Sequence, residues 1–235
     1  MKKKLIFPLT ILMILLFVGY FYLTDEYKSE KNVSSSLKSS DSVKVVKKNT
    51  YYLFDGEGEE NAIIFYPGAK VEYTSYAPLM MEIASQGVDC FLMKFPYNIA
   101  FFRMNAGDDV LKNYSYSHWY LAGHSLGGVV GSSYVNKHSD TFDGIIFLAS
   151  YSMGSMDENI RILSINGDHD GVLNMKSYNK SKKQWKDYDE FIIKGGNHAG
   201  FGNYGPQKKD KKATISNQKQ QEITADKIIE FVSKA

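Results

Sequence analysis

Cysteine, arginine and proline are scarce in this 235-residue chain: one Cys, five Pro, and two arginines, Arg103 and Arg161. A single cysteine excludes an internal disulfide framework, so the fold must stand on packing alone. Cys90 lies inside the apolar run VDCFLM and reads as a buried filler. A nucleic-acid surface needs basic residues gathered on the folded part, and this chain does not supply them. The formal net charge of +2 depends on Lys2, Lys3 and Lys4; without those three, 25 basic residues face 26 acidic ones. Nucleic acid is therefore not an expected partner. The nine methionines are scattered and mark no cofactor box. With 43% hydrophobic and 14% aromatic residues, disorder, collagen and repeat arrays are also disfavoured.

What is present begins with an uncharged run over residues 5–24, preceded by the three lysines and closed by Asp25 and Glu26. As a helix it would be about 30 Å long, the thickness of a bilayer core. Residues 1–24 are expected to form an uncleaved single-pass anchor, with the membrane as partner. The flanking charges then place the amino terminus in the cytoplasm and the body outside, extracytoplasmic. Removal as a secretory signal, leaving a secreted body, is the alternative. Against it, the run ends GYFYLTDE, aromatic where a peptidase needs small side chains. Residues 25–42, rich in serine and lysine, read as a polar stem, and residues 43–235 as the folded domain.

Within that domain, strand-like runs recur at residues 43–46, 50–54, 62–66, 88–93, 118–122, 144–149, 161–165 and 190–194. Several are apolar throughout rather than alternating, as strands covered on both faces must be. Helices are expected at 76–86, 108–114, 127–137, 175–185 and 223–232. Strands alternating with helices predict an α/β fold: a mostly parallel sheet with helices on both faces and a minimal cap. Residues 95–107, FPYNIAFFRMNAG, carry aromatics without clean periodicity and read as a loop or short helix near a site mouth, or as a buried crossover.

The segment YLAGHSLGG contains Gly123, His124, Ser125, Leu126 and Gly127 in G-x-S-x-G order, with an apolar strand before it and a helix after it. That context places a nucleophilic Ser125 on a tight turn where larger flanking residues would collide with the backbone. A serine hydroxyl needs a base. Among five histidines, His118 is too early, His124 occupies the variable position of the turn, and His138 sits at a polar helix end. His169 is boxed in a turn. His198, in GGNHAGFG directly after a strand, is the expected base. The orienting carboxylate should follow a strand between the two. RILSINGDHDGVL supplies Asp170, preferred for its turn, and Asp168; Asp143 is a further alternative. Oxyanion donors are expected from the amides of Leu126 and Ala69, the latter in the loop PGAK, where Lys70 competes. No cofactor or metal is required: Asp168, His169 and Asp170 are consecutive and converge on an ion only through a strained turn. Tyr97, Phe101, Phe102 and Phe201 are candidates to line an apolar acyl pocket, or core residues.

With YPGAKVEYTSYAPL, GHSLGG, NGDHDGV and GGNHAGFGNYG in this order, residues 51–235 resemble the α/β-hydrolase superfamily. More narrowly they are similar to a bacterial group related to dienelactone hydrolases, though with serine where those enzymes use cysteine. The resemblance implies a carboxylesterase-like serine hydrolase with Ser125 as nucleophile, Asp170 as acid, His198 as base, and Ala69 and Leu126 at the oxyanion. Its substrate would be a small or lipid-like acyl ester. An acyltransferase using the same serine, or a non-catalytic surface protein on this scaffold, are the alternatives.

Overall fold

In the computed structural model, which describes Met13, Phe17, residues 19–21 and residues 23–234, the expected strand runs join one eight-stranded sheet. The strands are β1 Lys44–Lys47, β2 Tyr51–Asp55, β3 Asn61–Tyr66, β4 Asp89–Met93, β5 His118–His124, β6 Gly144–Leu148, β7 Arg161–Gly167 and β8 Tyr188–Ile193. Their spatial order is β1-β2-β4-β3-β5-β6-β7-β8. Pairings of β1 with β2 and β2 with β4 are antiparallel, and from β4 onward the neighbours run parallel. The helices are α1 Val33–Ser36, α2 Ala77–Ala84, α3 Asp108–Leu111, α4 Leu126–Lys137, α5 Met175–Lys182 and α6 Asn217–Val232.

The run AIIFY shows why apolarity is continuous. Ile63 and Phe65 enter one core with Leu79 of α2 and Ile228 of α6. Ile64 and Tyr66 enter the opposite core with Val130 and Tyr134 of α4. Successive side chains point to opposite faces, so a strand with helices on both sides has no face left for polar residues. Chain direction reverses about β3: one crossover leads outward to β4, the next back across to β5. Ligands of open α/β sheets bind at such a point, beyond the carboxyl ends of the strands. The loops after β3 and β5, carrying Ala69 and Ser125, both open there.

Helix α6 begins six residues before the apolar pattern does. Ser216 caps it, its Oγ accepting from Lys219 N–H at 3.1 Å. Gln220 and Gln221 in its first turns are buried yet polar, and for that reason they carry no apolar signature.

The expected anchor requires correction. Among the described residues no helix is long and apolar enough to cross a membrane, and most of the run 5–24 lies outside the described residues. A span needs about 20 consecutive helical residues, so the single-pass anchor, the membrane as partner and the extracytoplasmic placement of the body are withdrawn. The segment read as a polar stem lies along the loop after β3. Tyr27 N–H donates to Lys70 O at 2.7 Å, and Tyr27 O accepts from Glu72 N–H at 2.9 Å, a one-residue parallel bridge to Val71. Ser29 Oγ lies 2.6 Å from Thr74 Oγ1, and Val33 is buried. Backbone and hydroxyl hydrogen bonds order this segment, and composition does not register them.

Candidate active site

One residue joins β5 to α4, and that residue is Ser125. Its backbone (φ 51°, ψ −124°) lies in a region that costs a non-glycine residue about 1–3 kcal/mol and persists only where the surroundings impose it. Here they do: Ser125 N–H donates to Leu148 O at 3.0 Å, and Ser125 O accepts from Ser150 Oγ at 2.6 Å. The turn is tight because its flanks are glycine. A Cβ on Gly127 would lie 2.1 Å from Tyr66 O, and one on Gly123 would lie 2.4 Å from Gly128 Cα. Any side chain at either position forces β3, β5 and α4 apart.

Leu126 opens α4, so its N–H has no acceptor one turn back and sits at the positive end of the helix dipole. In the loop after β3, Gly68 N–H donates to Tyr76 Oη at 3.1 Å and Lys70 N–H to Asn98 O at 2.8 Å. The Ala69 amide between them has no acceptor among the described residues. Of the two competitors in PGAK, Lys70 has its amide occupied and Ala69 does not.

Asp170 and His198 meet across the ends of β7 and β8. His198 Nδ1 lies 2.8 Å from Asp170 Oδ2, and both side chains are almost wholly buried. The other carboxylate oxygen of Asp170 accepts from Val172 N–H at 2.7 Å and Leu173 N–H at 2.8 Å. Burial pushes this carboxyl up; the His198 hydrogen bond and charge, with the two amides, outweigh it and hold it below its ordinary value. With Nδ1 donating to Asp170, Nε2 is the ring nitrogen left to accept a proton; it is buried and has no hydrogen-bond partner among the described residues. The His198 ring is 4.6 Å, centroid to centroid, from that of His124, the residue preceding Ser125.

The remaining expected residues are used elsewhere. Asp168 accepts from Gly195 N–H at 2.7 Å, and His169 Nδ1 faces Lys212 O at 2.8 Å. Asp168, His169 and Asp170 thus face three different partners. Asp143 accepts from Trp119 N–H at 3.0 Å, near the start of β5 and far along the strand from Ser125. Phe201 is fully buried, its ring 5.6 Å from that of His124, and belongs to the core. Tyr97, Phe101 and Phe102 are exposed on two short helical turns after β4.

Residues 62–222, well over half the chain, match the model of a family described as the alpha/beta hydrolase family. The chain belongs to the α/β-hydrolase family. Among solved structures this chain is similar to Est1E from Butyrivibrio proteoclasticus, determined with ferulic acid bound: TM-score 0.60 and 14% identity, covering 83% of this chain and 98% of that one. It is also similar to naproxen esterase (carboxylesterase NP) from Bacillus subtilis, with TM-score 0.58 and 10% identity over 85% and 95% of the two chains. At such identities the likeness is one of fold. No curated protein matches the sequence closely enough to count as a relative. These similarities reach the hydrolase family and not the narrower dienelactone-hydrolase-related group.

In this chain the variable position of the turn is not idle. His124 is buried; its Nε2 lies 3.1 Å from His198 O and its Nδ1 2.7 Å from Tyr76 Oη. A carbonyl only accepts, so Nε2 carries the proton, Nδ1 is the acceptor, and the Tyr76 hydroxyl donates to it while accepting from Gly68 N–H. One neutral imidazole therefore ties the Ser125 turn, the loop of Ala69 and the backbone of His198. Sequence alone offers no signal for this role, since Tyr76 and His198 lie 48 and 74 residues from His124. Burial, and secondarily the neighbouring His198, hold the His124 pKa well below its ordinary value.

Stability is linked to this depressed pKa. Below about pH 6.5 an unfolded His124 binds a proton that the folded one refuses, so stability present above that pH is lost as pH falls, by at most about 1.4 kcal/mol per pH unit. Urea titrations from pH 7.5 to 5 are expected to show this fall in the wild type and a shallower one in His124→Gln. Parallel curves would refute a neutral buried His124.

Proposed function

We propose that the protein is a serine hydrolase of carboxylic esters, working through Ser125, His198 and Asp170 and an acyl-enzyme. The observation that carries the reading is the buried Asp170–His198 pair, whose unpartnered Nε2 belongs to the same end of the sheet as the strained Ser125 turn. As the Ser125 oxygen attacks the carbonyl, His198 Nε2 takes its proton. Asp170 holds the imidazole in the required tautomer and stabilises the imidazolium. The developing oxyanion receives the N–H groups of Leu126, at the start of α4, and of Ala69, which has no acceptor among the described residues. His198 then protonates the leaving alcohol, takes a proton from water, and the acyl-enzyme is hydrolysed. The likeness to dienelactone-hydrolase-related proteins rests on GHSLGG, NGDHDGV and GGNHAGFGNYG. The serine bars transfer of their substrate to this protein.

The test is hydrolysis of p-nitrophenyl esters from acetate to palmitate by the full chain, with Ser125→Ala beside it. The expected result is turnover that peaks at one acyl length and is absent from the variant. Acyl-enzyme formation with product appearing only when an alcohol acceptor is added would make the protein an acyltransferase instead. No acylation of folded protein, together with no reaction with a serine-directed phosphonate, would leave a silent scaffold.

A further inference from the structure

The loops that carry Asp170 and His198 leave different strands. Close to the strand ends they are joined directly, Gly195 N–H donating to Asp168 Oδ1 at 2.7 Å and His169 N–H to Gly196 O at 2.9 Å. A third segment joins them again at the residues next to the pair. Asp210, in the run KKDKK between the His198 loop and α6, has a carboxylate that reaches both. Its Oδ1 accepts from Gly171 N–H at 3.0 Å, next to Asp170, and from Lys211 N–H at 2.9 Å. Its Oδ2 accepts from Ala199 N–H at 2.9 Å, next to His198.

Further bonds stitch the same segment to the same two loops. Asn197 Nδ2 donates to Lys211 O at 2.7 Å, Thr214 N–H to Gly195 O at 2.9 Å, and His169 Nδ1 to Lys212 O at 2.8 Å. The acid loop approaches closely: a Cβ on Gly171 would lie 2.5 Å from Lys209 O. An ionised carboxylate is the one side chain that offers acceptors in two directions to backbone donors and nothing that repels them.

We propose that Asp210 is a positioning residue that cross-braces the acid and base loops, holding the Asp170–His198 hydrogen bond at its 2.8 Å length. The proposal rests on the reading of Ser125, Asp170 and His198 given above. Asp210 touches no reacting atom and acts through its two neighbours. In Asp210→Asn the single remaining carbonyl oxygen can serve Gly171 and Lys211, but the amide NH₂ then faces the Ala199 N–H, donor against donor. The base loop loses its bond next to His198 while the carboxylate of Asp170 stays in place.

Two readouts test this on the full chain: kcat and KM for the p-nitrophenyl ester turned over fastest, and the low-field proton resonance of the His198–Asp170 N–H. Asp210→Asn is expected to lower kcat about tenfold to a hundredfold, the penalty for a small misplacement of a catalytic group, with KM changed less than twofold and the resonance broadened or lost. Gly171→Ala, which displaces the segment and leaves Asp210 itself intact, should reproduce both effects and serves if Asp210→Asn fails to fold. Folded variants with wild-type kcat and resonance, or a fallen kcat with an unchanged resonance, would overturn the bracing role. If wild-type protein turns over no ester but its resonance disappears in Asp210→Asn, the bracing stands and the esterase reading falls. Ester turnover retained in full by both variants defeats the bracing alone.

Discussion

Ser125→Ala and His198→Ala are each expected to lower kcat by about 10⁴- to 10⁶-fold, and the double variant by no more than the worse of the two. The non-additivity follows from the roles. Without Ser125 there is no nucleophile for His198 Nε2 to deprotonate, and without His198 the Ser125 hydroxyl keeps its proton. What survives is the contribution of binding and of the Leu126 and Ala69 amides, common to all three variants. Single-turnover kinetics with the preferred p-nitrophenyl ester, beside a phosphonate labelling assay, measure it. Losses that multiply in the double variant would mean that the two residues act on separate steps, and the mechanism proposed would be wrong.

Asp170→Asn is expected to cost about 10⁴-fold in kcat near neutral pH, with little change in fold. The reason lies in how the carboxylate is held. Val172 and Leu173 donate to Oδ1, so an asparagine keeps its carbonyl oxygen there and turns its NH₂ toward His198 Nδ1. Nδ1 must then accept, the ring proton moves to Nε2, and the base can no longer take the Ser125 proton. Asp168→Asn, whose carboxylate serves Gly195 N–H and not His198, should leave kcat within a few-fold. Equal losses in the two asparagine variants would reassign the acid. Kinetics across pH 6 to 9 with circular dichroism on each variant decide the matter.

The legibility of the molecule divides along physical lines. Strands β3 to β7 were readable because burial on both faces leaves a continuous apolar run, a signal contained in a few adjacent residues. The Ser125 turn was readable because its glycines are required locally: Gly123 and Gly127 meet backbone within 2.4 Å of where a Cβ would stand. The start of α6 was not. Gln220 Oε1 accepts from Asn197 N–H, Gln220 Nε2 donates to Asn197 O, and Gln221 Nε2 donates to Asn203 Oδ1. Those side chains are buried to satisfy the polar backbone of the His198 loop, and polar residues buried for that purpose look exposed in a sequence. The amino-terminal run was read from its apolarity, which reports how favourably a stretch would leave water; no helix among the described residues is long and apolar enough to cross a membrane, and most of that run lies outside them.

Sequence by itself determined the class of fold, the order of strands and helices along the chain, and the chemistry on offer: one serine in a glycine-bounded turn, a late histidine, and carboxylates between them. Periodicity and turn sterics act over a few residues, so they are written where they act. Tertiary structure alone decided that Asp170 and not Asp168 faces His198, that the variable His124 joins three loops, and that Asp210 spans the acid and base loops. Each of those depends on hydrogen bonds between residues 11 to 74 positions apart. Their geometry exists only once the sheet has brought the strand ends together.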